Sequence, residues 1–589
     1  MTSVSYSADA NIMQARPDGG VSSDVAVLLP IMAPRLQADC QPDGKIELSL
    51  WGVGKLGTVL FEALPGPYVY GPNSVTGSVG GVHVAQSAPA MVLTSTKLRR
   101  IFAARRAAWW HTVSAGAPKP RAFRTKTRHI VDLTWGTLIA ETRGDNLVLT
   151  VGASRAEAEA ALLLSVEAII AEAGEYSARC DRLPDADPVL RSMVIQGTHA
   201  ALSSIRKDEH GQFAGLAAGQ AYSAPARTYF RDGYWTLQPL LTLAPDAVRD
   251  QIRLLAKGVQ PDGEAPSAVI LSGPAQSAAW EVFRRNADRY KEEHLRPGDW
   301  WSDHFDSPLF FILTLGDYVA ATGNRSETPR HWPLVTAIFE RYQRLCAGGP
   351  LPLKPHNDRD WADNVYREGL VSYDLGLWFG ALDAIVALGP ELDPDLVARA
   401  KVAAIAGRQA IDAELWSDEA RGYADFRTTA GFAEDHLMLD TLTLSRYDGV
   451  PEAKSRKTLA AMATELESRN NQRQPYGDWG VLCAFPPYKR PSDVRAKSAF
   501  AFRYHNGSDW PYLDAIYAEE RLRRGLGGAR YALVRWWEVS LANGWAGAVE
   551  YYSPPFGRGS LLQGWSGLPA HVAVRFRDQL KAELAGRPK

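Results

Sequence analysis

The 589-residue chain has only 4 cysteines, Cys40, Cys180, Cys346 and Cys483, far apart, with no CxxC pair and no histidine at metal-ligand spacing. That excludes a disulfide framework and a structural zinc site, and reads as four free thiols of the buried kind. Excess charge of either sign is missing too: Lys+Arg number 65 against Asp+Glu 66, a formal net charge of -1. A balanced chain carries no electrostatic footprint for nucleic acid or for an anionic membrane. No uncharged apolar run reaches spanning length, and the opening "MTSVSYSADANIMQARPDGG" lacks the basic-then-apolar order of a signal peptide, so the expected location is cytoplasmic. HExxH, an EF-hand loop, a GxSxG elbow and a P-loop are all absent. With them go common routes to metal, serine-nucleophile and phosphate-cradle chemistry, and neither a metal nor a cofactor is implied.

What the chain has in quantity is aromatic surface: Trp 18 and Tyr 22, many beside Asp, Asn, Arg or Gly. A flat apolar face with a polar handle suits stacking on sugar rings as well as core packing. Hydrophobic residues at 46% and charged residues at 22% are ordinary for a globular protein, and the length predicts two domains, one of them large.

Residues 1–150 read as β-rich: "KIELSLWGVG", "TVLFEAL", "HIVDLTWGTLIAET" and "DNLVLTVGAS" are short β-branched or aromatic runs between turn formers, which predicts an antiparallel β-sandwich. Between them, "TSTKLRRIFAARRAAWWHTV" reads equally as a helix or as an arm across the sheet. From "SRAEAEAALLLSVEAII" onward apolar residues recur at helical spacing, with 151–190 as a helical linker and 191–589 as a helical domain. So many helices joined as antiparallel hairpins predict a mainly α chain closed into an (α/α)6 toroid whose loops gather at one rim.

Five stretches carry more polar and aromatic residues than connectors need: "TYFRDGYWTLQPL" with Arg231, Asp232 and Trp235; "GDWWSDHFDSPLFF" with Trp301 and Asp306; "HNDRDWADNVYREGLVSYDLGLWFGAL" with Asp360, Trp361, Asp363 and Asp374; "FRYHNGSDWPYLDAIYA" with His505, Asn506 and Trp510; and "GAVEYYSPPFGRGSLLQGWSGL", where Glu550 is the single acid and Trp565 follows. Asp306 or Ser307 beside Pro308 is also a ready helix start. Paired carboxylates in an aromatic lining are what glycoside hydrolysis requires, and apolar surroundings raise a carboxyl pKa toward that of a useful general acid.

In order, these stretches resemble those of the six-hairpin (α/α)6 glycosidases: processing α-glucosidases of glycoside hydrolase family 63, trehalases, the amylo-1,6-glucosidase part of glycogen debranching enzymes, and neutral invertases. The resemblance covers about residues 195–575. "FRDGYW" is similar to the loop that grips the sugar in the −1 subsite. "RDWADN" followed by "VSYDLGLWFGAL" resembles the general-acid loop, which implies Asp363 as acid and Asp374 as a sugar-binding residue. Asp360, three residues earlier, stays open as an alternative acid. "YHNGSDWP" and "VEYYSPPFGRGSLLQGWSGL" are similar to the later loops, the second implying Glu550 as the base that activates water.

The implied activity is exo-acting hydrolysis with inversion, releasing a glucose-like residue from an α-glucoside or oligosaccharide. Arg231, Asp232, Asp360, Asp374, His505 and Asn506 would contact the sugar, with Trp235, Trp301, Trp361, Trp510 and Trp565 as walls. Inversion requires the two carboxyl groups about 6.5–9.5 Å apart; about 5–5.5 Å goes with retention. A noncatalytic carbohydrate-binding or sensing protein and a polysaccharide lyase on a similar toroid are the competing readings, and homo-oligomer formation stays open.

Overall fold

The computed structural model describes residues 178–207, 213–219, 227–270, 303–543, 548–560 and 563–584 almost continuously. Ahead of these it describes strands between Ser3 and Gly152 and a helix, α1 (Arg155–Ala161). The strands form two seven-stranded sheets, every neighbouring pair antiparallel where its register is given. Leu98–Ala103, inside the stretch that read as helix or arm, is a strand paired with Gly54–Phe61.

From residue 188 the chain alternates between an outer and an inner layer of helices. The outer helices are α2 (Pro188–Ser203), α4 (Pro245–Leu255), α6 (Glu327–Leu345), α8 (Pro394–Leu415), α10 (Glu452–Glu465) and α12 (Ala529–Asn543). The inner ones are α3 (Phe230–Leu243), α5 (Ser307–Thr322), α7 (Ser372–Leu388), α9 (Leu442–Arg446), α11 (Pro511–Arg523) and α13 (Leu568–Arg575), with α14 (Arg577–Leu584) following. Among the described residues each inner helix packs on the next, and α13 packs back on α3, so the ring is closed.

Sequence decides which layer a helix takes. The first three turns of α5, "SPLFFILTL", are buried on every side, and so is the start of α7, "SYDLGLWFGAL". A helix apolar all round has no solvent face to offer and must lie inside. Outer α8 buries only a stripe that includes Leu396, Ala400, Ala404 and Ile411, and leaves Val402 and Ile405 exposed. Gly376 of α7 is required by this closeness, because a Cβ there would overlap the backbone of Thr443 in α9. Side chains such as Trp378 and Phe379, each contributing about 1.5–3 kcal/mol on burial, fill the interface between the layers.

Two stretches behave differently from expectation. "TYFRDGYWTLQPL", read as a loop, is mostly inner helix α3; Gly233 and Pro239 hide its helical character, and tertiary packing carries the helix through both. "HLMLDTLTLSRY", whose apolar spacing predicts one helix, divides into a strand at Leu437–Met438, a 3-10 turn at Leu439–Thr441 and short α9. The apolar spacing of "SAAWEVFRRNADRYKEEHL" predicts a helix that lies outside the described residues, as do Trp300 and Trp301; Cys40 ends the strand Leu36–Cys40, and Cys180, Cys346 and Cys483 are buried.

The inner helices all begin at one rim. Asp232, Asp374 and Asp514 sit in the first turns of α3, α7 and α11, and Asp306 immediately precedes α5. Each helix N-terminus presents about half a positive charge, so this rim is where carboxylates are best accommodated.

Candidate active site

Strands Lys354–Asn357 and Arg367–Val371 pair antiparallel, and residues 358–366 between them form a hairpin that carries both Asp360 and Asp363. The two carboxyls have opposite surroundings. Fully buried Arg367 meets Asp360 at 2.8 Å, Asp425 at 2.7 Å and Asp440 at 2.7 Å, while Lys354 Nζ lies 3.4 Å from Asp360. Burial alone would raise the Asp360 pKa, but Arg367 and Lys354 outweigh it and hold the carboxyl well below its usual range. Asp360 also accepts the Ala362 N–H at 2.8 Å, which turns the hairpin. A carboxylate so committed has no proton to give.

Asp363 lies on the open side of the same hairpin, 23% exposed, accepting from Asn364 at 3.0 Å with His505 Nε2 4.0 Å away. Burial pushes its carboxyl up to about 7; Arg231 opposes this, and the nearby charges of Glu550 and Asp358 add to it. Glu550 comes from the hairpin at 548–560. Its N–H donates to Ser560 O (2.8 Å), and the Ser560 N–H donates back to Oε2 (2.9 Å). Gly559 makes room for this carboxylate, since a Cβ there would overlap both Oε2 and the Tyr551 ring.

Asp232 is the third carboxyl of the group. Burial pushes it up to about 7 as well, against Arg231 and with Glu550. Gln563 Nε2 donates to Asp232 Oδ1 at 2.9 Å, joining the first inner helix to the loop before the last. Arg231 is held by a two-point ion pair to Asp306, Nε to Oδ2 at 2.5 Å and Nη2 to Oδ1 at 3.0 Å. So Asp306 starts α5 but makes no side-chain cap there; its carboxylate is spent on Arg231.

Around these groups runs a belt of rings. Trp361 meets His505 (4.7 Å, edge-on), His505 stacks on Trp510 (5.2 Å, 11°), and Trp565 joins Trp510 to Tyr512. Trp361 Nε1 donates to Asp440 at 2.6 Å, which fixes that ring to the Arg367 cluster. Burial, then Arg367, keeps the His505 pKa well below normal, so its imidazole is neutral. Several buried polar atoms here have no hydrogen-bond partner among the described residues: Tyr373 OH, Tyr512 OH, Trp565 Nε1, Gln563 Oε1 and Thr236 Oγ1. Buried polar groups are normally satisfied, and such a concentration beside carboxyls suits a ligand rich in hydroxyls.

The structure brings together Arg231, Asp232, Trp361, Asp363, His505, Trp510, Glu550 and Trp565 from the sequence-predicted set. It separates others. Trp235, expected as a wall, is wholly enclosed between Tyr234, Phe310 and Tyr512, because it points between helices as a core residue. Asn506, expected to bind sugar, uses its amide on the backbone instead, donating to Ser498 O at 3.0 Å and accepting from Tyr488 N at 3.1 Å. Asp360 belongs to the Arg367 cluster. Asp374 is buried in the first turn of α7 with both oxygens unpartnered among the described residues; burial, then Asp360, raises its pKa well above normal. Trp301 lies outside the described residues.

Sequence reasoning missed Gln563, Tyr373 and Tyr512. Gln563 had one signal, a lone amide between "LL" and "GWSG" in a stretch already singled out.

No protein-family model and no curated protein sequence matches the chain. Solved structures do. A bacterial glucoamylase complexed with acarbose aligns at 9% identity over 99% of this chain and 94% of its own, with a TM-score of 0.57. At lower TM-scores stand a rhamnosidase from Klebsiella oxytoca with rhamnose bound (15% identity, 74% of this chain and 70% of its own, 0.47) and a GH63 mannosylglycerate hydrolase from Thermus thermophilus in complex with glucose (16%, 64% and 98%, 0.44). The likeness to the glucoamylase extends over both the strands and the helices, and the fold of this chain is the (α/α)6 toroid that its motifs led one to expect.

Proposed function

We propose that the protein is an exo-acting glycoside hydrolase that removes a glucose-like residue from an α-glucoside or oligosaccharide with inversion. Asp363 donates a proton to the glycosidic oxygen while Glu550 deprotonates a water on the opposite face of the sugar. The observation that carries this reading is the environment of Asp363, a carboxyl pushed up to about 7 by burial and by the charge of Glu550. At neutral pH it is poised to hold a proton, whereas Asp360, three residues away, is not. Arg231, Asp232 and His505 would bind the −1 sugar together with the unpartnered Tyr373, Tyr512, Trp565 and Gln563 atoms, and holding the bond between acid and water lowers the entropic barrier. The substrate class is argued by analogy with the glucoamylase whose fold the chain shares.

The test is a panel of α-linked disaccharides, with the product anomer followed by NMR, run on wild type, Asp363→Asn and Glu550→Gln. We expect the inverted anomer and a loss of at least about 10²-fold in each variant. Near wild-type turnover in either variant would sink the assignment. A noncatalytic sugar-binding protein would bind without turnover, and a lyase would release an unsaturated product that absorbs in the ultraviolet. Two carboxyls, Asp363 and Glu550, close enough for the charge of one to raise the other favour hydrolysis over both.

A further inference from the structure

Beside Asp363, where the Lys497 N–H donates to Asn364 Oδ1 at 3.2 Å, residues 496–504 meet the hairpin that carries Glu550, and the surface they share is cationic and aromatic. Lys497 Nζ sits 4.6 Å from the Tyr504 ring centre and 5.6 Å from that of Tyr551. The Arg503 guanidinium lies over Phe500 (5.5 Å) and Phe556 (4.8 Å). Those two phenylalanines are 5.9 Å apart and, at 52% and 42% exposure, among the few large apolar side chains open to solvent.

The charge at this rim is unbalanced. Asp358 is committed to Arg495, and Asp493 to Arg490. Among the described residues neither Lys497 nor Arg503 has a carboxylate partner, and Arg503 Nε is buried without a hydrogen bond. Lys497 acts on Asp363 and His505, and Arg503 acts on Tyr551 beside Glu550, so both cations lie within electrostatic range of this part of the site. A neutral sugar offers such cations hydroxyl oxygens but no counter-charge, whereas an anion would find two of them resting on aromatic faces.

Direction follows from the proposed roles. The buried end of the cleft, with Asp232 and Gln563, takes the sugar that is released; the end over Asp363 takes the departing group. We propose that this outer end is a subsite for an anionic leaving group, whose ring or apolar part lies on Phe500 and Phe556 while its negative charge meets Lys497 and Arg503. This rests on the glycosidase reading and narrows its substrate class to glycosides with a negatively charged aglycone.

The experiment compares three glycosides of one sugar that the panel shows to be cleaved, with phenyl, 4-carboxyphenyl and 4-(aminomethyl)phenyl leaving groups, on wild type, Lys497→Gln and Arg503→Gln. Because all enzymes meet the same leaving-group chemistry, the change in the anionic-to-neutral kcat/KM ratio isolates the charge contact. In wild type that ratio should be about tenfold, with the cationic substrate poorest, and it should shrink in high salt and in both variants. Arg577→Gln, remote and exposed, should leave it unaltered. Equal turnover of all three substrates, or a preference undiminished in both variants, overturns the subsite and leaves the hydrolase reading standing. If no glycoside of any sugar is cleaved by the folded protein, the hydrolase reading falls and the subsite with it.

Discussion

Two clusters of acids lie side by side at the inner-helix rim, one around Arg367 and one around Glu550. In the first, Asp360, Asp425 and Asp440 surround a single guanidinium at distances of 2.7–2.8 Å. In the second, Asp232, Asp363 and Glu550 share Arg231 at longer range, while that arginine's own hydrogen bonds go to Asp306. Both clusters are rich in carboxylates, but in the first Arg367 and Lys354 hold Asp360 low while Asp440 is raised to about 6, and in the second Asp232 and Asp363 are both pushed up to about 7. What separates Asp360 from Asp363 is whether a counter-charge is already in contact.

Breaking the first cluster should produce the largest effect. Arg367→Met strands three buried carboxylates, and removing one partner of a buried ion pair typically costs about 3–5 kcal/mol, so chemical denaturation should show a loss of that order. If Arg367→Met were as stable as wild type, the cluster would not be the support described above. Next comes crowding of the second cluster. Gly559→Ala forces Glu550 or Tyr551 to move, and a displacement of about 1 Å at a reacting group can cost up to about 10²-fold, so kcat should drop while the melting temperature changes little. An unchanged kcat would remove Glu550 from the chemistry.

The smallest effect is a shift in pH dependence. In its proposed role as acid Asp363 must be protonated, and its pKa is raised to about 7; activity should therefore be present below that value and be lost as pH climbs through it. Lys497 favours the charged form of Asp363, so Lys497→Gln should move the alkaline limb of kcat/KM to higher pH. A limb that stays in place would show that another group sets it.

Much of this was readable from residues alone, for identifiable reasons. Glu550 announced itself as one acid among aromatics and glycines, and most outer helices announced themselves by spacing. Asp360 and Asp363 could not be told apart by pattern, because the arginine that distinguishes them, Arg367, contacts Asp425 and Asp440, which lie much later in the chain. Trp235 and Asn506 sat in persuasive company, but neighbours in sequence do not reveal which way a side chain points. Helix α3 was hidden by its own Gly233 and Pro239, since local propensity argues for a loop where ring packing dictates a helix.

The bond from Gln563 to Asp232 spans 331 residues of chain and is the clasp of the toroid. It ties Asp232 to the closing segment of the ring, because Asp232 and Glu550 share a field only where the final inner helix docks against the first. A chain truncated before residue 563, or one whose last turn has come undone, should keep many of its helices and lose its chemistry. In the proposed hydrolase, activity would thus be a report on ring closure.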